Sequence, residues 1–373
     1  MLSCSRPRVG AILKDEASRQ VAVIGSRVMS REYSVVVVGR GAVGRELLRV
    51  LEQRRFPASA ITVLARSAGT IAVDGRDYEV RRAAPEAFEG CNIALFAGTE
   101  GEKGAAVTYA PAAIKRGAVV IDNGNDFRMD PQVPLVVPEV NREALRGRHN
   151  LIANPNCSTI QMVVALKPIH DAVGIKRAVV SSYQAASGAG SGAVAQLEAE
   201  MAALVAGAAM PAGDAFPQRL AANVFPHIGG FDDEGYCSEE VKLARETHKI
   251  MGDDSIGVTA TTCRVPVLNG HCEAINLELR EELGPGAAKE LLASWEPYGD
   301  RYRPLRVVDA PAQGCYPMPI QVSGTDEVFV GRIRRDATVA HGLNLWVAAD
   351  NLRKGAALNA VQIAEQMIAM GLL

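Results

Sequence analysis

The stretch YSVVVVGRGAVGRELLRVLEQRR, residues 33–55, constrains the fold more than any other segment. Val35 to Val38 form an unbroken β-branched run, the pattern of a strand covered on both faces. Leu47, Leu48 and Leu51 then recur at helical spacing. Between them, Gly39-Arg40-Gly41-Ala42-Val43-Gly44 fits GxGxxG. Glycine lets the backbone approach a pyrophosphate, and the start of the following helix favours the anion. The hexapeptide alone is a weak signal. Between a strand and a helix it predicts a dinucleotide site.

The segments that follow extend this pattern. AITVLARS, NIALFAG and AVVIDNG read as further strands, and TYAPAAIKRG as a helix stopped by Gly117. Strands alternating with helices predict a doubly wound parallel sheet. After Cys157 the texture changes. RAVVSSYQAAS, IGVTATTCRVPVLNG and HCEAINLEL read as longer strands of a second, mixed α/β domain, with AVAQLEAEMAALVAGAAM as a helix among them. DNLRKGAALNAVQIAEQMIAMGLL reads as a final helix. A chain of 373 residues has room for two such domains.

Other features exclude whole classes. A formal net charge of -2 implies no broad attraction to nucleic acid or membrane. No apolar run reaches the ~18 residues of a membrane span. The seven cysteines show no CxxC pairing, which argues against a zinc site and suits a reducing cytoplasm. The first 32 residues mix cations with acids around no long apolar run, unlike a signal peptide. They are expected to form a disordered tail, with Met29 as an alternative start.

Three positions carry chemistry. Arg66 and Ser67 end the second strand where an NAD site usually places an acid. A guanidinium and a hydroxyl suit a 2′-phosphate, so NADP is the expected cofactor. Cys157 stands where NPN meets a helical pattern carrying Ile160, Val163, Val164 and Ile169. A helix start stabilises a thiolate, and its N–H groups can hold an oxyanion. His271 opens a strand whose odd positions continue as Glu273, Ile275, Leu277 and Leu279. This face is apolar at its far end and ionisable at its start, and ionisable groups on a buried face need a reason. One reason is a hydrogen-bonded core histidine, and another is an acid/base partner for a thiol. Arg128 and Arg264 are candidate anion sites.

Together with RSAG, FRMD, PLVVPEVN, NPNCSTI, SSYQAASGAG, EEVKLARETHKIM, RVPVLNGH and LWVAADNLRKGAALNAVQIAE, these segments resemble the aspartate-semialdehyde dehydrogenase family. The likeness runs in family order from Val35 to the C-terminus. It implies NADPH-dependent conversion of 4-phospho-L-aspartate to L-aspartate 4-semialdehyde with release of phosphate, in aspartate-family amino-acid biosynthesis. Cys157 would be the nucleophile, His271 the acid/base, Gln184 the group orienting the acyl intermediate, and Asn156 the support of the thiol. Arg264 would grip the substrate carboxylate, while Arg128, Lys242 and Glu239 would shape the phosphate and substrate site. Ser187, Gly188 and Asn351 match positions at the nicotinamide end, and Arg66 and Ser67 match the 2′-phosphate site.

The resemblance implies a Rossmann-type NADP-binding domain over 33–156 and a catalytic and dimerisation domain over 157–347. Residues 348–373 would be a C-terminal helix packed back on the first domain. It also implies a cytoplasmic homodimer. The glycine turn GRGAVG is one residue shorter than usual in the family, VLARSAG is shortened too, and AGTEGEKGAAVTYAP is irregular. Two other readings share the chemistry or the fold. One is a reductase of N-acetylglutamyl phosphate, whose nucleophile usually lies in an NPGCY-like setting. The other is a catalytically silent homologue that only binds nucleotide.

Overall fold

A computed structural model describes residues 32–98, 104–147, 149–299 and 302–373. The expected tail, Met29 and part of the irregular loop lie outside the described residues.

Strand β1 (Tyr33–Val38) is buried almost throughout and runs into the glycine turn and helix α1 (Ala42–Gln53). β2 (Ala58–Ala65), β3 (Gly69–Val73), β4 (Arg76–Arg82) and β5 (Ile93–Phe96) follow. Then come α2 (Ala105–Lys115), β6 (Val119–Asp122), the short α3 (Pro138–Asn141) and β7 (Leu151–Ala153). They build a seven-stranded sheet of order β3-β4-β2-β1-β5-β6-β7. It is parallel except for the β3–β4 hairpin. The chain leaves β1 toward β2 and returns on the other side as β5. This reversal opens a crevice at the carboxyl end of β1, where such sheets bind ligands.

Two glycines of the turn are required by geometry. Gly39 has φ +117, a conformation that L side chains rarely adopt, and a Cβ there would lie 2.9 Å from that of Ala97. A Cβ on Gly44 would lie 2.0 Å from the Gly39 carbonyl oxygen, so the helix could not pack this close to the strand. Gly41 caps α1 and faces open space, leaving its backbone accessible.

α4 (Cys157–Val173) links the two halves. It is buried on nearly every side, as expected for a helix without a polar face. The second sheet is mixed. Its strands are β8 (Ile175–Gln184), β9 (Gly257–Arg264), β10 (His271–Leu279), β11 (Leu305–Val307), β12 (Val328–Asp336) and β13 (Gly342–Ala349), in the order β11-β12-β13-β10-β8-β9. Helices α5 (Ser191–Ala206), α6 (Ser238–Met251), α7 (Pro285–Ser294) and α8 (Pro319–Val322) lie among these strands in the chain. Ile160, Val163 and Val164 of α4 pack with Ile275, Leu277 and Leu345 of this sheet.

The C-terminal helix α9 (Leu358–Ala369) returns to the first sheet, where Leu358, Val361 and Ile363 join Val35, Leu47 and Ile121 in one core. α2 covers the opposite face through Ala106, Ala110 and Ala113. The sheet is thus doubly wound, as the sequence predicts. The last segment departs from the expected single helix. Arg353–Ala357 form a π-turn before α9 begins. The β3–β4 hairpin also had no counterpart among the predicted elements, although Asp74-Gly75 and the alternating buried Ile71, Val73, Tyr78 and Val80 carry its signal.

Gly44→Ala is expected to lower the thermal midpoint, since overpacking of this kind costs about 1–3 kcal/mol. It should also weaken dinucleotide binding, measured by calorimetry. Wild-type values in both measurements would mean that α1 can shift without disturbing the turn.

Candidate active site

A cavity of about 1270 Å³ runs from the glycine turn to the start of α4. Gly39, Arg40, Gly41, Ala42, Val43 and Gly44 line one end with Arg66 and Ser67. The Arg40 guanidinium donates to the Ser67 hydroxyl at 3.1 Å, so a second cation stands beside the two residues at the end of β2. Asn156, Cys157, Gln184, Arg128, Glu239, Lys242 and Arg264 line the other end. Ser187, Gly188 and Asn351 lie between. Among these, the Asn351 side-chain Oδ1 accepts from the Gly270 N–H at 2.9 Å, and its Nδ2 donates to the Ser187 hydroxyl at 2.9 Å.

Cys157 is the first residue of α4, and Asn156 is its N-cap. The Asn156 side-chain oxygen accepts from the N–H groups of Ser158 at 3.0 Å and Thr159 at 3.3 Å. This corrects one expectation. Two of the amides that could have held an oxyanion are already engaged by the cap. The Asn156 side-chain nitrogen donates to Glu239 at 2.8 Å, and Gln184 donates to the same carboxylate oxygen at 3.2 Å and to Ser158 Oγ at 2.8 Å. Lys242 lies 3.7 Å from Glu239, one turn along α6.

Three strand ends meet at this point. Gln184 ends β8 and pairs in register with Arg264 at the end of the parallel β9. His271 begins the antiparallel β10 beside them. Arg264 donates to the Ala185 carbonyl at 2.6 Å. The Ala185 N–H donates to His271 Nδ1 at 3.1 Å. Nδ1 is therefore an acceptor, which places the proton of a neutral ring on Nε2. Burial, and then the Arg264 guanidinium, hold the imidazole well below its ordinary pKa. Nε2 is buried with no protein partner. A Cβ on Gly188 would lie 2.9 Å from it and 3.0 Å from Arg264 Nη1, so the Gly188 backbone lies over this donor, and His271 itself is not among the residues lining the cavity.

The thiol departs from the expected state. Burial and the Glu239 carboxylate push the Cys157 thiol up to about 12, against the downward pull of Arg128 and Arg264. The helix start was expected to favour a thiolate. Desolvation outweighs it here, because removing an anion from water costs more than partial charges return.

Glu246 was missed by sequence reasoning. Its two oxygens accept from Arg128 at 3.0 Å and from the Asn156 N–H at 2.7 Å. A signal was present: Glu239, Lys242 and Glu246 recur at i, i+3 and i+7 along one face of EEVKLARETHKIM. Replacing the carboxylate next to the thiol tests the balance. Glu239→Gln is expected to speed alkylation of Cys157 by iodoacetamide at pH 7, by about tenfold for each unit the thiol pKa falls. An unchanged rate would mean that burial alone keeps the thiol protonated.

Comparison with known proteins agrees with this geometry. Residues 34–148 match the family model "Semialdehyde dehydrogenase, NAD binding domain", and residues 166–354 match "Semialdehyde dehydrogenase, dimerisation domain". The chain is 49% identical to the aspartate-semialdehyde dehydrogenase of Aquifex aeolicus, over 91% of this chain and 99% of that one. It is 45% identical to the enzyme of Bacillus subtilis, over 92% and 100%. Among solved structures, aspartate semialdehyde dehydrogenase II of Vibrio cholerae superposes with a TM-score of 0.83 at 42% identity, covering 91% of this chain and 99% of that one. The same Vibrio protein in complex with ASA gives a TM-score of 0.84 at 41% identity, with the same coverage. With a nucleotide cradle, a cysteine at a helix start and these relatives along its length, the chain belongs to the aspartate-semialdehyde dehydrogenase family.

Proposed function

We propose that this protein reduces 4-phospho-L-aspartate to L-aspartate 4-semialdehyde with NADPH, releasing phosphate, in aspartate-family amino-acid biosynthesis. The observation that carries the reading is Cys157 at the first position of a buried helix, sharing a cavity with the glycine turn, Gln184 and Arg264.

The residues present fit a phosphorylated dinucleotide. Gly41 leaves bare backbone for the pyrophosphate, and Arg40, Arg66 and Ser67 form a cationic, hydrogen-bonding corner for a 2′-phosphate. No acid stands at that strand end to bond a free ribose hydroxyl. Ser187, Gly188 and Asn351 face the nicotinamide end. When bound, the cofactor supplies the hydride.

The protein supplies the rest. Cys157 Sγ bonds to the acyl carbon as the carbon–oxygen bond to phosphate breaks, the thiol proton leaves with the released phosphate, and a thioester remains. Once that carbon is reduced, the carbon–sulfur bond breaks and the aldehyde leaves. His271 presents its Nε2–H to the substrate oxygen and serves as the acid/base as the aldehyde departs. Gln184 and Asn156 hold the acyl group and the thiol in place through their shared link to Glu239. Arg264 grips the substrate carboxylate, while Arg128 and Lys242 take the phosphate. A substrate with two anionic groups explains why several cations converge on one cavity. The working form is a cytoplasmic homodimer built through the domain of the second sheet, without nucleic-acid or membrane partners. Among the described residues no helix is long and apolar enough to cross a membrane.

The reaction is tested in reverse, by mixing protein with L-aspartate 4-semialdehyde, phosphate and either NADP or NAD and following nicotinamide absorbance. Phosphate-dependent reduction of NADP is expected. Reduction of NAD alone would reject the 2′-phosphate corner, and no reduction would redirect the search to N-acetylglutamyl phosphate. Cys157→Ala should abolish turnover while NADPH still binds; loss of binding in folded protein would contradict the separation of roles. Arg264→Lys should raise KM for the substrate about tenfold or more, because an ammonium cannot reproduce a bidentate grip. An unchanged KM would remove Arg264 from the carboxylate site.

A further inference from the structure

Cys157 is met from the far end of the chain by the π-turn Arg353–Ala357. Its wide hydrogen bonds run from the Ala357 N–H to the Leu352 carbonyl at 3.0 Å and from the Gly355 N–H to the Asp350 carbonyl at 3.1 Å. Single π-turns are uncommon and cluster at functional sites. Here the turn brings bare backbone against the nucleophile. A Cβ on Gly355 would lie 2.8 Å from the Cys157 Cβ and 3.2 Å from its Cα. Carbon atoms in ordinary contact stand about 3.5–4.0 Å apart.

Neither side of this contact can retreat easily. Arg353 donates to Asp326 at 2.6 Å and to Glu46 of α1 at 2.9 Å. Lys354 is fully buried, and its ammonium reaches both oxygens of Glu139 at 2.8 Å, Gln362 at 2.8 Å and Asn359 at 3.0 Å. The Asp350 carboxylate accepts from the N–H groups of Leu352 and Arg353 at 2.9 and 3.0 Å. Across the contact, Cys157 is fixed by the Asn156 cap and by the Glu246 carboxylate on the Asn156 N–H. Breaking a buried ion pair is costly, so the turn cannot simply swing away.

We propose that Gly355 is a positioning residue that seats the nucleophile, with the buried Lys354–Glu139 pair fastening the π-turn that carries it. The absence of a side chain at 355 sets how Cys157 is aimed into the cavity. A methyl group there must tilt the thiol off its line, and a displacement of about 1 Å costs roughly a hundred-fold in rate. The inference rests on the proposed reading of Cys157 as the nucleophile, but the steric contact itself can be tested without turnover.

The test compares Gly355→Ala with Gly286→Ala, a control in α7 where a Cβ meets nothing within 4 Å. Gly355→Ala should cut kcat by about a hundred-fold. Affinity for NADPH should stay within twofold, and the pH profile of Cys157 alkylation by iodoacetamide should shift. The control should match wild type in all three. A second arm is a double-mutant cycle on the thermal midpoint. Gly355→Ala should destabilise the wild-type and Cys157→Ala backgrounds, which keep a Cβ at 157. It should have a much smaller effect on Cys157→Gly, which lacks one. If Gly355→Ala alone fails to fold, its rescue by Cys157→Gly supports the seat and failure of rescue overturns it. Wild-type kcat and alkylation in Gly355→Ala, or additive midpoints across the cycle, would also overturn it. Should the wild-type protein show no turnover, the functional reading falls while the cycle still decides the contact.

Discussion

Glu246 of α6 is almost completely buried, and its two oxygens accept from separate parts of the chain. One takes the Arg128 guanidinium from the stretch after β6, and the other takes the Asn156 N–H at the entry to α4. A buried carboxylate survives only when its lone pairs are satisfied, so both partners are held where they stand. Asn156 in turn caps the helix that begins with Cys157. Lys249, one turn further along α6, donates to the carbonyls of Arg128, Asp130 and Val133 at 2.7–2.8 Å and ties down the segment that carries Arg128. The site is thus suspended from one helix that otherwise serves the second sheet. Cys157 itself lies on a different helix.

This arrangement explains the unusual resting electrostatics. Arg128, Arg264 and Glu239 surround a single thiol. Each argues separately for or against ionisation, and burial decides against it. A protonated thiol is a poor nucleophile and also a poor target for adventitious oxidants. Burial and Glu239, which hold the Cys157 thiol in its protonated form, therefore set its reactivity in both respects.

Much of this was legible in the sequence, and the parts that were not share a cause. β1, the glycine turn and α1 could be read because burial on both faces and glycine geometry leave local patterns. Cys157 at a helix start followed from the step between NPN and the apolar run behind it. Glu246 could not be assigned a role from sequence alone, because its importance lies in two hydrogen bonds to residues about a hundred positions away. The expected oxyanion donors at α4 are engaged for a local reason: the residue before the cysteine can cap those amides itself, and Asn156 does. The final helix was expected over the whole of DNLRKGAALNAVQIAEQMIAMGLL, but the two cations before Gly355 are buried rather than solvated. Periodicity cannot distinguish a buried, paired lysine from an exposed one.

The contact between Gly355 and Cys157 has a consequence for how the protein comes into being. Lys354 and Glu139 are 215 residues apart in sequence, and the ion pair that fastens the turn closes a loop containing the whole second sheet. Chains are made from the N-terminus, and domains fold as they emerge. The nucleotide cradle and α4 are synthesised long before the segment that completes the setting of the thiol. A nascent chain that stops short of residue 350 therefore lacks both the turn that meets Cys157 and the helix whose Leu358, Val361 and Ile363 complete the core of the first sheet.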